Sequence, residues 1–281
     1  MLPELRGSVH DDVIESRAVG RPMLIKVILP PGYQPDAETP YPVLYFLHPW
    51  GLSPRYITDK LRIHHHLWDG IAQSVLPPMI VALPTGERSF YLNAADPPGQ
   101  DWSGVMNRDE RFFHNALEQY GRYGDYLLGE AIPHVEQRYH VRRDRAGRAM
   151  GGISMGGAAA AVHGFSDPSR FCAIGIHSPA VFEGPPEKNG PPWIFGLDRA
   201  SFAARNPADQ ARRLTLQTQP RIYLDCGDHD TLLPAVDLVH RALDECGIAH
   251  QYLIRPGGHD KTYWEPHMPE YLAFYAQAWQ A

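Results

Sequence analysis

A chain of 281 residues, 43% hydrophobic and 21% charged, has the composition of an ordinary globular protein and is long enough for a single large α/β core. A formal net charge of −6 leaves no basic footprint for nucleic acid, and the densest basic cluster, Arg142, Arg143, Arg145 and Arg148, alternates with Asp144 and small residues. No run approaches the roughly 18 apolar residues of a membrane span, and residues 1–20 show no secretory pattern, so a soluble, cytoplasmic protein without membrane or nucleic-acid partners is expected.

Residues 13–18 and 23–29, separated by Val19-Gly20-Arg21, read as an antiparallel hairpin closed by Pro30-Pro31-Gly32-Tyr33. Residues 42–47 form a continuous apolar run suited to a strand buried on both faces of a parallel sheet, and they end in His48-Pro49-Trp50-Gly51. A helix over 59–74 and a second buried strand over 77–83 complete a βαβ unit.

Residues 84–123 are rich in aromatics, Gly, Pro and Asn, as expected of a functional excursion or a surface loop packed by its own side chains. An amphipathic helix follows over 126–139, then a strand over 146–153 and a small-residue helix over 158–163. Strands are expected at 171–176, 221–227 and 250–255, helices at 232–246 and 271–279, and a Pro-rich stretch at 184–196 reads as a stiff loop. This alternation predicts a mostly parallel central sheet flanked by helices. It forms one domain over 1–281, with 84–123 and 184–205 as loop or cap excursions near the active site. The three cysteines, Cys172, Cys226 and Cys246, are far apart and odd in number, which favours free thiols over a disulfide framework or a zinc site.

Gly152-Ile153-Ser154-Met155-Gly156 fits a sharp strand-to-helix turn that presents a serine hydroxyl at the top of a sheet. In so tight a turn the strand and helix pass close together, which leaves no room for a Cβ two residues before or after the serine. Ligands of open parallel sheets bind outside the carboxyl ends of the strands. Three such ends carry Ser154, then Asp228 and Asp230, then His259. A histidine can take the serine proton near neutral pH, and a carboxylate on its far nitrogen fixes the tautomer. Position alone does not choose between Asp228 and Asp230. Two N–H groups should hold the oxyanion: Met155, directly after the serine at a helix N-terminus, and Trp50, because Pro49 has no N–H, with Gly51 behind it.

These residues resemble the putative-esterase (esterase D-like) family of α/β hydrolases, which includes S-formylglutathione hydrolases, feruloyl esterases, enterochelin esterases and mycolyltransferases. The likeness runs from Leu29-Pro30-Pro31-Gly32-Tyr33 and the 41–48 stretch, through Gly152-Ile153-Ser154-Met155-Gly156-Gly157, to Cys226-Gly227-Asp228-His229-Asp230 and Gly258-His259. It implies the α/β-hydrolase fold with an N-terminal antiparallel hairpin, and it places the triad acid at Asp230, the last position of Cys-Gly-x-x-Asp. The family usually has glycine where this chain has Pro49.

The expected activity is a serine carboxylesterase that uses Ser154, His259 and Asp230 on a small-molecule ester with short acyl or aryl groups. An acyltransferase to an alcohol acceptor and a thioesterase of the S-formylglutathione hydrolase type are alternatives, as is a non-catalytic binding module. Phe90, Tyr91, Trp102, His177, Trp193 and Trp264 fall in loops expected at the catalytic edge, as does Trp50, and are candidates to line the substrate pocket. Neighbouring residues on a helix point about 100° apart, so His64-His65-His66 reads as a polar helix face, and neither cofactor nor metal is expected. A homo-oligomer is left open.

Overall fold

The sheet opens with a hairpin: β1 (Ser8–Ser16) pairs antiparallel with β2 (Arg21–Leu29) in the computed structural model, which describes residues 6–95, 121–185, 192–196, 198–215 and 219–280. β1 is an edge strand whose first four residues, Ser8, Val9, His10 and Asp11, are exposed, and it begins five residues before the apolar pattern does. β3 (Val43–Leu47) shows why the rest of the sheet is parallel and interior. All five residues are buried, with Val43, Tyr45 and Leu47 in the core on one face and Leu44 and Phe46 in the core on the other.

Two short helices follow β3, α1 (Pro54–Asp59) and α2 (Ile63–Ala72), in place of the single helix expected over 59–74. The break lies at Arg62, whose φ of 53° is left-handed, a turn no glycine announces in the sequence. β4 (Ile80–Pro84) leads out to the excursion, and the chain re-enters at α3 (Tyr123–Tyr126). A π-helical turn (Leu127–Ala131) joins it to α4 (Ile132–Arg138). β5 (Arg148–Ile153) and α5 (Met155–Ser166) form the serine turn, and β6 (Ala173–His177) follows.

The Pro-rich stretch carries one short helix, α6 (Pro192–Phe195), and two more follow it, α7 (Arg199–Ala203) and α8 (Pro207–Ala211). β7 (Arg221–Gly227), α9 (Leu233–Glu245) and β8 (Gln251–Arg255) lead to α10 (Lys261–Trp279). α10 begins ten residues before the helix read from sequence. Pro266 and Pro269 mark it as broken, yet burial of Tyr263, Trp264, Met268 and Tyr271 carries the helix through them. The side chain of Asp260 caps it by accepting the Thr262 N–H at 2.7 Å.

The eight strands lie in the order β1-β2-β4-β3-β5-β6-β7-β8, antiparallel up to β4 and parallel from there on. Helices α4, α5 and α9 bury their apolar sides against one face, and α2 and α10 against the other. The parallel strands therefore bring the ends of β3, β5, β7 and β8 to one edge. The three cysteines are free thiols, Cys226 buried and the other two partly so.

Candidate active site

The turn after β5 is as tight as its glycines suggest. Ser154 has φ 58° and ψ −115°, a left-handed conformation costly for a residue with a side chain, and the serine is 5% exposed. A Cβ on Gly156 would lie 2.2 Å from the Leu47 carbonyl oxygen, and one on Gly152 would lie 2.6 Å from the Gly156 backbone. The strand, the helix and the end of β3 thus meet where only glycine fits. Hydrogen bonds from Ser154 N–H to the His177 carbonyl and from Ala180 N–H to the Ser154 carbonyl, both 2.9 Å, lock the turn onto the end of β6.

A two-bond relay runs from the serine. His259 Nε2 is 2.8 Å from Ser154 Oγ, and His259 Nδ1 is 2.6 Å from Oδ2 of Asp230. The side chain of Asp230 is fully buried and that of His259 is 29% exposed, so the base opens to solvent while the acid does not. Burial pushes the Asp230 carboxyl upward. Hydrogen bonds from His259, the Leu232 N–H and the Cys226 thiol outweigh it, and the carboxyl stays below the usual carboxylate range. A carboxylate there makes His259 Nδ1 the protonated nitrogen and leaves Nε2 to accept the serine proton.

Asp228 does other work in the same turn. Its Oδ1 accepts the Gly257 N–H at 3.0 Å, and the His229 N–H donates to the Gly257 carbonyl at 2.9 Å. These bonds fasten the loop that carries His259 to the turn that carries Asp230. Gly257 itself sits at φ 145° against Tyr263, where a Cβ would come within 2.7 Å of the ring.

On the opposite side of Ser154, β3 pairs with β5 in register Leu47 to Gly152, so the His48-Pro49-Trp50 turn extends past the serine's own strand. The His48 N–H donates to the Tyr91 hydroxyl at 3.1 Å, and Pro49 has no N–H. The N–H groups of Trp50 and Met155 donate to no protein acceptor among the described residues. Met155 is the first residue of α5, where a helix N–H has no intrahelical partner and the dipole favours negative charge. His48 pins the turn from inside: its Nδ1 contacts the Pro49 carbonyl at 2.8 Å, and its Nε2 accepts the Gly86 N–H at 2.9 Å. Burial pushes the His48 pKa down to about 4, so the ring is neutral and both bonds hold at physiological pH.

The aromatic candidates separate into different roles. Phe90 packs at 5.3 Å from Trp50, 5.9 Å from Phe182 and 5.0 Å from Phe195, forming one aromatic cluster beside the turn. Phe90 and Phe195 are nearly fully buried within it; Trp50 and Phe182 are only partly buried. The short link from Ala180 to Phe182 places this cluster next to Ser154.

Tyr91 and His177 require correction, since both are fully buried and present no surface to a ligand. The Tyr91 hydroxyl is bolted between the His48 N–H and the Pro84 carbonyl. His177 Nδ1 lies 2.8 Å from Asp225, its Nε2 lies 2.9 Å from the Tyr275 hydroxyl, and its ring stacks on Tyr271 at 3.6 Å. Trp264 is also buried; it donates Nε1–H to Ser178 at 3.0 Å and meets the His259 ring edge-on at 5.0 Å, bracing the imidazole. Trp102 lies outside the described residues, as does the side chain of Trp193, whose backbone belongs to α6.

Sequence reading missed Phe182 and Phe195, His48 as the pin of the turn, and Asp225. Both Asp225 oxygens are engaged, one by His177 and the other by the Tyr263 and Tyr271 hydroxyls at 2.8 Å, which ties β7 to the start of α10 directly behind His259. A signal for Phe182 was present in its position five residues past the end of β6, on an edge already identified as the catalytic one. No helix among the described residues is long and apolar enough to cross a membrane.

The model of the family described as Putative esterase matches residues 16–275. An esterase of Mycobacterium tuberculosis (strain ATCC 25618 / H37Rv) is 24% identical over 276 residues, covering 87% of this chain and 54% of that protein. The chain therefore spans about half the length of that relative. Among solved structures, a ferulic acid esterase is similar with a TM-score of 0.78 and 23% identity, covering 98% of this chain and 99% of that one. An S-formylglutathione hydrolase from Agrobacterium tumefaciens is similar with a TM-score of 0.77 and 17% identity, covering 98% and 96%. At these identities the two structures establish the shared α/β-hydrolase fold.

Proposed function

The chain belongs to the Putative esterase family, and we propose that it is a serine carboxylesterase cleaving aryl or short-acyl carboxylic esters through an acyl-enzyme. The observation that carries this reading is the unbroken relay from Ser154 Oγ through His259 to Asp230, at 2.8 Å and 2.6 Å. It is supported by the left-handed serine, whose strain aims the hydroxyl away from the sheet.

Ser154 Oγ attacks the ester carbonyl carbon as its proton passes to His259 Nε2. The carbonyl π bond opens onto oxygen, and the resulting oxyanion accepts hydrogen bonds from the Met155 and Trp50 N–H groups. Each such donor is worth about 10²–10³ in rate, because it is fixed before charge develops. Asp230, held ionised, stabilises the imidazolium that forms. His259 then delivers the proton to the departing alcohol oxygen, and the acyl group stays on Ser154. Water enters, gives its proton to His259 and attacks the acyl carbon, which releases the acid and restores the serine.

The substrate class follows from Trp50 and Phe182, the partly exposed members of the aromatic cluster beside the turn. Flat, polarisable faces there favour aryl groups and short acyl chains over charged ones. The test is turnover of p-nitrophenyl acetate and butyrate by Ser154→Ala. Turnover should vanish with an unchanged circular-dichroism spectrum, whereas a rate near wild type would remove Ser154 from the reaction.

A further inference from the structure

The C-terminal half of α9 carries His240 and Asp244 one turn apart, and His250 lies immediately before β8. His240 Nδ1 is 2.8 Å from His250 Nε2, His240 Nε2 is 3.4 Å from Oδ2 of Asp244, and His250 Nε2 is 3.9 Å from Oδ1 of Asp244. One donor atom from each residue lies within 4.8 Å of the others, and no other group of three metal-capable side chains does so among the described residues. None of the three takes part in the Ser154 relay.

The rings are also held as ligands need to be. His250 Nδ1 contacts the Ile248 carbonyl at 2.8 Å, so in the neutral ring Nδ1 carries the proton and Nε2 carries the lone pair that faces His240. A backbone carbonyl on the far nitrogen is the usual orienting contact of a metal-bound imidazole. His250 is nearly buried, with its side chain 4% exposed, and His240 is stacked on Tyr252 at 4.1 Å. Asp244 is 61% exposed, which lets its carboxylate close on an ion from the solvent side.

We infer that His240, Asp244 and His250 form a surface site for a borderline divalent cation, zinc being the best match. Two imidazole nitrogens and one carboxylate oxygen suit zinc, with water in the fourth position. Donor atoms around a tetrahedral zinc at bond lengths of about 2.0–2.2 Å stand roughly 3.4 Å apart. The observed separations of 2.8 Å and 3.9 Å at His250 fall on either side of that value, each about half an ångström from it. The His240 proton moves from Nδ1 to Nε2, which leaves the Asp244 carboxylate for the ion. Nδ1 is thereby freed for the ion, with no net proton released.

The ion would join the end of α9 to the start of β8. The N-terminal end of α9 follows Asp230, and β8 leads into the loop carrying His259, so the site ties together the two segments that supply acid and base. It lies at the far end of both and makes no contact with the reacting atoms, and its effect is on stability rather than on chemistry.

The test uses the full chain, stripped with chelator and titrated with zinc chloride by calorimetry, with thermal unfolding followed in parallel. One zinc should bind per chain at this site and raise the unfolding midpoint. His240→Ala and Asp244→Ala should each weaken binding by at least about tenfold and abolish the zinc-induced rise. Asp244 is exposed, so its variant keeps the metal-free midpoint of the wild type and separates loss of the site from loss of the fold. Absence of zinc binding to the wild type, or wild-type affinity in both variants, would overturn the assignment.

Discussion

Oδ2 of Asp230 lies 2.6 Å from Nδ1 of His259, while Asp228, two residues earlier in the same turn, holds the Gly257 N–H. One carboxylate faces the imidazole and the other faces the backbone of the loop that carries it. The two acids that sequence position leaves equivalent therefore have separate work.

Asp230→Asn should lower kcat by about 10⁴-fold, because an amide in place of the carboxylate favours the wrong imidazole tautomer. Asp228→Asn should stay within about tenfold of wild type, the scale of a single exposed hydrogen bond. Steady-state rates on p-nitrophenyl acetate distinguish the two. A larger loss in the Asp228 variant would reverse the roles.

His48 makes the turn beside Ser154 sensitive to acid. Its pKa is about 4 in the folded chain against 6.5 for an ordinary histidine, because burial penalises the charged ring. Between those values the unfolded chain binds more protons than the folded one, so stability is complete above about pH 6.5 and falls as pH drops toward 4. The gap corresponds to on the order of 3 kcal/mol. Urea unfolding at a series of pH values should show His48→Gln losing less stability than wild type across this window, by about that amount. Parallel profiles would show that His48 does not titrate in this way.

In the proposed mechanism Trp50 supplies a backbone N–H to the oxyanion and an indole face to the substrate, and Trp50→Ala removes only the second. KM for aryl esters should rise about tenfold with kcat nearly unchanged. A fall in kcat of about 10²–10³ would instead show that the turn loses its donor geometry without the indole.

What the sequence shows plainly is what short-range chemistry dictates. The apolar runs at β3, β4 and β7 could only be buried strands, and the glycines around Ser154 are where backbones approach too closely for a Cβ. What it hides depends on long-range packing. Pro266 and Pro269 disguise the first half of α10, which the buried aromatics of its own face sustain. Tyr91 and His177 carry the residue types of a pocket lining, and only their partners, the His48 N–H and Asp225, reveal that they are interior bolts. Phe195 reaches the Phe90 cluster from a Pro-rich stretch that resembles a plain loop. His240 and His250 meet only because α9 folds back onto β8, a contact no local pattern announces.

The central claim is that Ser154 Oγ becomes the acylated atom, activated by His259. The measurement that tests it most directly is covalent labelling with a fluorophosphonate, read by intact mass and then by mapping of the modified peptide. One adduct per chain on Ser154, lost in Ser154→Ala and strongly slowed in His259→Ala, is the expected result. Labelling at another residue, or none in a folded wild-type chain, would contradict it.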